Sequence, residues 1–194
     1  MDSMKRILST LLFVFVTVAA SAQEQDQERP DRWYEVEVLI FEQRNANTTE
    51  ELPETSVKIN TEGAIELVSP SGPTNGQPTP YQILPPENYR LRSAFNKLNN
   101  SGKYRPLFHS AWRQSIPPRE RADRIHLSGK SVDGLMTLGI SRYLHVTTDL
   151  LVQKSAEANN KFHLEGALHI RSGEVHYIDH PMGGMLILFT PYNL

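Results

Sequence analysis

The feature that most restricts the fold is a strict two-residue alternation in the C-terminal half. In Arg142 to Gln153, Leu144, Val146, Thr148, Leu150 and Val152 alternate with Tyr143, His145, Thr147, Asp149 and Leu151. Phe162, Leu164, Gly166, Leu168 and Ile170 then form one phase, opposite His163, Glu165, Ala167, His169 and Arg171. A period of two puts successive side chains on opposite faces of a strand and is incompatible with a helix. Turn residues at Ala156 to Asn160 and at Ser172-Gly173 separate these runs from a further strand at Glu174 to Asp179. Pro181-Met182-Gly183-Gly184 then reads as the turn before a last strand, Met185 to Thr190. Consecutive strands joined by short turns predict an antiparallel meander.

Earlier in the chain, Trp33 to Phe41 also alternates, and both of its phases turn apolar near the end. That pattern predicts a strand running into the middle of a sheet. Arg105 to Gln114 and Arg124 to Lys130 are further strand candidates, the second closed by a turn at Ser131-Val132-Asp133-Gly134. One helix is expected to open at Pro86-Glu87, carry Leu91, Phe95 and Leu98 as an apolar stripe, and stop at Asn99-Asn100-Ser101-Gly102. The fold class is therefore α+β: mostly antiparallel sheet, a C-terminal meander plus an N-terminal strand, packed with one main amphipathic helix. Between them, at about 42–82, Asn, Thr, Ser, Pro and Gly dominate, with Ala64 to Val68 as a weak apolar island. This stretch predicts a long irregular excursion, because it has little apolar area to offset its ordering entropy. Asn47-Thr48-Thr49 would be a glycosylation site only in a eukaryotic host.

The first residues address the chain. Lys5 and Arg6 precede an uncharged run, Ile7 to Ala20, and Ala20-Ser21-Ala22 has the small residues a signal peptidase reads. Spanning a bilayer takes about 20 apolar residues, more than this run supplies. Residues 1–22 are expected to be a cleaved signal peptide, 23–31 a disordered segment, and 32–194 a single domain. The sequence contains no cysteine, so no disulfide staples the fold and no thiol after the cleavage site can take a lipid. Loss of Asp2, Lys5 and Arg6 with the leader takes the chain from 20 basic and 22 acidic residues to 18 and 21. An acidic balance speaks against nucleic acid as a partner. No stable membrane insertion and no cofactor are expected.

Catalytic signatures are missing: there is no Ser-x-x-Lys, G-x-S-x-G, H-E-x-x-H, phosphate loop or EF-hand. His145, Asp149, His163, Glu165 and His169 share the polar phase of two neighbouring strands, a pattern that zinc could use. A solvated sheet face explains the same pattern with less. His176, Asp179 and His180 form a weaker cluster. For carbohydrate, Trp112 between His109 and Arg113 offers an indole face beside hydrogen-bonding groups. Large strand aromatics are more often core. The candidate ligand-binding residues are Trp112, His109, Arg113, Arg142, Tyr143, His145 and Arg171.

Four stretches, RWYEVEVLIFEQ, NYRLRSAFNKLNNSGKYRPLFHSAWRQ, SRYLHVTTDLLV and RSGEVHYIDHPMGGMLILFTPY, occur in order along the chain. Together they resemble the CsiV family of periplasmic peptidoglycan-binding proteins of Gram-negative bacteria. The resemblance implies a non-enzymatic periplasmic protein that binds the wall and supports its synthesis and cell shape. It also implies an outer-membrane lipoprotein partner that activates a bifunctional penicillin-binding protein. No ligand-contacting residues come with the resemblance. Two other readings compete with it: a protein–protein adaptor that touches no glycan, and a metal-dependent hydrolase using the polar histidine face.

Overall fold

The computed structural model describes residues 32–45, 57–70, 78–154 and 161–193. The expected leader, residues 23–31, Asn47 and the turn at 156–160 lie outside them. The α+β expectation holds. One sheet has the order β3 (Gln82–Ile83), β4 (Tyr104–Ile116), β1 (Arg32–Gln43), β10 (Gly183–Tyr192), β9 (Val175–His180). The other runs β2 (Ile65–Glu66), β5 (Asp123–Ser128), β6 (Val132–Ile140), β7 (Leu144–Gln153), β8 (Lys161–Ile170). The α-helix α1 (Arg92–Asn100) packs outside the first sheet.

Alternation decides which side chains meet. From β1, Tyr34, Val36, Val38 and Ile40 face inward, and Met185, Ile187 and Phe189 of β10 lie opposite or beside them. The second sheet contributes Ile125, Met136, Leu138, Val146, Leu150 and Leu164 to the same core. Burying a side chain of this size is worth roughly 1.5–3 kcal/mol, and both sheets draw on that shared layer. The opposite phase of β1 and β10 presents Leu39 and Leu188, which Leu91, Phe95 and Leu98 cover. A central strand with helix on one side and sheet on the other has two apolar phases, as the sequence of β1 indicated.

Several expectations are corrected. The C-terminal strands do not make one meander. β5 to β8 do, with Leu144 opposite Ile170, but β9 and β10 cross to the first sheet, where β10 pairs with β1. Alternation reveals faces and leaves strand partners open. The turn read at Ser131 to Gly134 lies instead at Lys130-Ser131, and β6 runs from Val132. Gly134 keeps the glycine requirement inside that strand: its φ is +147°, and a Cβ there would fall 2.3 Å from the Asp149 backbone oxygen. Pro86 to Asn88 is a separate 3-10 turn, and extended Tyr89 (ψ 130°) divides it from α1. Arg142 and Tyr143 belong to the turn before β7, and Gly183 and Gly184 belong to β10.

Within the 42–82 excursion, residues 42–45, 57–70 and 78–82 are described. Residues 57–70 cross the second sheet, where Ile65 and Glu66 pair in parallel with Ile125 and His126. Val68 then bridges to Gln82, so this strap ties one sheet to the other. Its clasp is His126, whose Nδ1 meets Glu66 and whose Nε2 meets Asp133 Oδ1 at 2.7 Å. Desolvation opposes the charged ring, but the two carboxylates outweigh it and raise the His126 pKa above its ordinary value. Only the protonated ring donates from both nitrogens.

Two outcomes are expected. Because the folded His126 pKa is raised, its stabilisation is complete below pH 6.5 and is lost as pH rises through the folded value. Urea unfolding should show the wild type exceeding His126→Gln most at pH 6, with the difference shrinking toward pH 9; a constant difference would rule out the charged clasp. The second concerns Gly183, where a Cβ would lie 2.2 Å from the Phe41 backbone oxygen and 3.0 Å from Phe162 Cζ. Gly183→Ala should cost about 1–3 kcal/mol in the same measurement, because backbone and not a mobile side chain must yield.

Candidate functional site

Toward α1, β1 presents two carboxylates that β4 meets with bases. Glu35 accepts from Arg113 Nε at 3.0 Å and Nη2 at 2.7 Å, and from Arg90 Nη2 at 3.3 Å. The Arg113 guanidinium also lies 4.3 Å from the centroid of the Tyr192 ring. Glu37 is buried and accepts three bonds. Oε1 takes the Leu91 N–H at 2.9 Å and His109 Nε2 at 2.7 Å, while Oε2 takes the Arg90 N–H at 2.7 Å. Leu91 provides no side-chain cap for α1, so this carboxylate from another element fixes the chain where the helix begins.

His109 is held on three sides. Its ring stacks on Phe95 (centroids 5.3 Å, 17°), meets Tyr89 edge-on (4.7 Å, 64°), and bonds to Glu37. These residues border a cleft of about 470 Å³, completed by Pro86, Glu87, Arg92 and Asn96. Clefts of about 300–1,000 Å³ are the usual size for small ligands.

At the end of the sandwich where β7 starts and β8 stops, another group assembles. His145 lies opposite His169 with ring centroids 4.4 Å apart, and its Nε2 bonds Ser141 Oγ at 2.7 Å. Desolvation lowers the His145 pKa, helped by His169 and by Arg119 and opposed by the Glu120 carboxylate. The adjoining turns expose Arg142, Tyr143 and Arg171, with the Arg142 guanidinium 5.7 Å from the Tyr143 ring. Arg119 arrives because Pro118 bridges to Ile140. No carboxylate among the described residues forms an ion pair with Arg119, Arg142 or Arg171.

The structure thus divides the sequence candidates. His109 and Arg113 lie beside α1; Arg142, Tyr143, His145 and Arg171 lie together at the sandwich end. Trp112 is a correction. It is fully buried in the core, and its indole N–H donates to Gln114 Oε1 at 2.7 Å, which leaves no face for a sugar. Its phase on β4 is that of the inner layer, opposite Val36. Of the polar histidine face, Asp149 pairs with His163 at 2.6 Å and His145 with Ser141. Among the described residues no group of three or more His, Asp or Glu is placed to hold a metal. Sequence reasoning missed Glu37, Tyr89, Arg92, Asn96 and Arg119. The i, i+4 spacing of Arg92 and Asn96 was a readable signal; the approach of Arg119 to His145 has none in the local sequence.

The fold is two packed sheets with one covering helix. The family model for the peptidoglycan-binding protein CsiV matches residues 7–192, and the chain belongs to that family. No curated protein and no solved structure matches it. Among the described residues, no helix is long and apolar enough to cross a membrane.

Replacing Glu37 by Ala would leave two backbone N–H groups and His109 without their acceptor in a buried place. Each unsatisfied buried group costs about 1–3 kcal/mol. Glu37→Ala is therefore expected to lower the urea midpoint more than Glu35→Ala, whose partners reach solvent; equal midpoints would refute the ranking.

Proposed function

We propose that the protein is a non-enzymatic periplasmic accessory factor that binds peptidoglycan and supports wall synthesis and cell shape. In this reading it is exported by the 1–22 leader without lipidation, and residues 32–194 act as one domain. It works with an outer-membrane lipoprotein that activates a bifunctional penicillin-binding protein. The observation that supports the binding role is the grouping of Arg119, Arg142 and Arg171 with His145 and His169, where Glu120 is the one carboxylate acting on His145 and, among the described residues, none of the three arginines forms an ion pair. Wall peptides bear carboxylates, and guanidinium groups take carboxylates in paired, directional hydrogen bonds. Exposed Tyr143 adds an apolar face beside them. Arg113 is already engaged by Glu35 and serves the fold of that face.

Sedimentation with purified sacculi tests this. The wild type should pellet at physiological salt, and the Arg142→Ala/Arg171→Ala double variant should bind at least tenfold more weakly, since each of the two arginines lost can supply a charge-assisted hydrogen bond worth about that much. Wild-type protein that stays in the supernatant would end the proposal. A second reading, an adaptor that touches no glycan, draws on the exposed apolar residues Val175 and Tyr177 of edge strand β9. Crosslinks to a protein partner that survive wall digestion, without sacculus binding, would favour it. Release of muropeptides from sacculi would instead mark the protein as a hydrolase.

A further inference from the structure

We infer that the cleft between α1 and β4 is a saccharide subsite that takes one uncharged, N-acetylated pyranose ring. The inference rests on the wall-binding reading for the identity of the polymer, and it concerns a place and a chemistry separate from the arginine-rich end. Tyr89 and Phe95, both half-buried, border the cleft and are locked by packing on the His109 ring. Rigid aromatic surface of this kind receives the C–H face of a pyranose at small entropic cost.

The polar groups fit the rest of a sugar. Glu87, Arg92 and Asn96 are exposed at the rim, and none has a side-chain hydrogen bond or ion pair among the described residues. Arg92 and Asn96 stand four residues apart, on one side of α1. Asn96 offers a donor and an acceptor together, which is what an acetamido group requires. Glu87 and Arg92 offset each other in charge, so this cleft does not select an anion as the other end does.

His109 makes the cleft more than a gap in packing. The Glu37 carboxylate can only accept, so His109 must donate to it from Nε2. Nδ1 then has no partner among the described residues, although the side chain is only 11% exposed. A leucine at this position could fill the space between Tyr89 and Phe95 without the desolvation cost of a Glu–His pair. What the imidazole adds is an oriented Nδ1 that can accept a hydrogen bond from a hydroxyl while Nε2 donates to Glu37.

The test is an NMR titration of the full mature protein with chitotetraose, run beside sacculus sedimentation. Binding should shift the ring signals of His109, Tyr89 and Phe95. Asn96→Ala, an exposed helix change that leaves the core intact, should weaken it at least fivefold. Tyr89→Ala should weaken it at least tenfold, with folding checked by its amide spectrum. Arg142→Ala/Arg171→Ala should leave chitotetraose binding unchanged. If the wild type pellets with sacculi but millimolar chitotetraose shifts no cleft signal, the subsite is refuted and wall binding stands. If sacculi are not bound while the cleft signals still shift, wall binding falls and the saccharide site remains. Equal affinity for cellotetraose, which has no acetamido groups, would overturn the N-acetyl preference assigned to Asn96.

Discussion

One buried carboxylate fixes the register in which the covering helix, the central strand and its neighbour meet. Glu37 belongs to the central strand, yet its oxygens hold the backbone at the start of α1 and a histidine on β4. A carboxylate so placed loses its water and recovers the cost only if every lone pair is well used. Three donors from two other elements meet that requirement. Apolar contacts among Leu39, Leu91 and Leu188 hold α1 against the sheet. They do not specify where along the sheet the helix must begin; the carboxylate does. The position of Tyr89, the orientation of His109 and the shape of the cleft all follow from it.

The two polar surfaces of the protein differ in how they use charge. Beside α1, Glu35 and Glu37 each have partners, and the groups left over are neutral or balanced. At the sandwich end, among the described residues, no ion pair engages Arg119, Arg142 or Arg171, and His145 is held toward its neutral form by desolvation, His169 and Arg119, against the opposing carboxylate of Glu120. In the proposed reading a ligand with carboxylates gains most at the second surface and a hydroxyl-rich ring at the first. Peptidoglycan carries both chemistries on one polymer, which is consistent with family membership over residues 7–192.

Much of the architecture was readable from residue order. Alternation in β1, β7 and β8 fixed which side chains turn inward, and the Leu91, Phe95 and Leu98 stripe fixed the covering helix. Long-range pairing was not readable. Nothing local in Met185 to Thr190 says that its neighbour is Val36 to Ile40 and not β8. Asp133-Gly134 has the composition of a turn, but a close approach to Asp149 explains its glycine. The helix start was misplaced because Pro86-Glu87 has first-turn chemistry, whereas Glu37 captures the Arg90 and Leu91 amides instead. That Arg142, His145 and Arg171 fall at one end of the sheet was readable because hairpin neighbours are legible. Trp112 was misjudged because residue type cannot report which phase of β4 faces the core.

The placement of β1 has a kinetic side. Its neighbours are β4 and β10, and in the register Trp33 lies opposite Tyr192. Closing so long a loop must precede any reward from the contact, which slows folding in chains of high contact order. The β5 to β8 meander has no such delay, since each strand finds its partner across a short connection. The second sheet can therefore assemble while Tyr34 to Phe41, the central strand of the first, still has open the edge that β10 covers. A segment of that kind is prone to pair with other chains. The strand that is made first is the last to be protected, and its safe keeping until β10 exists is a demand this topology places on the cell.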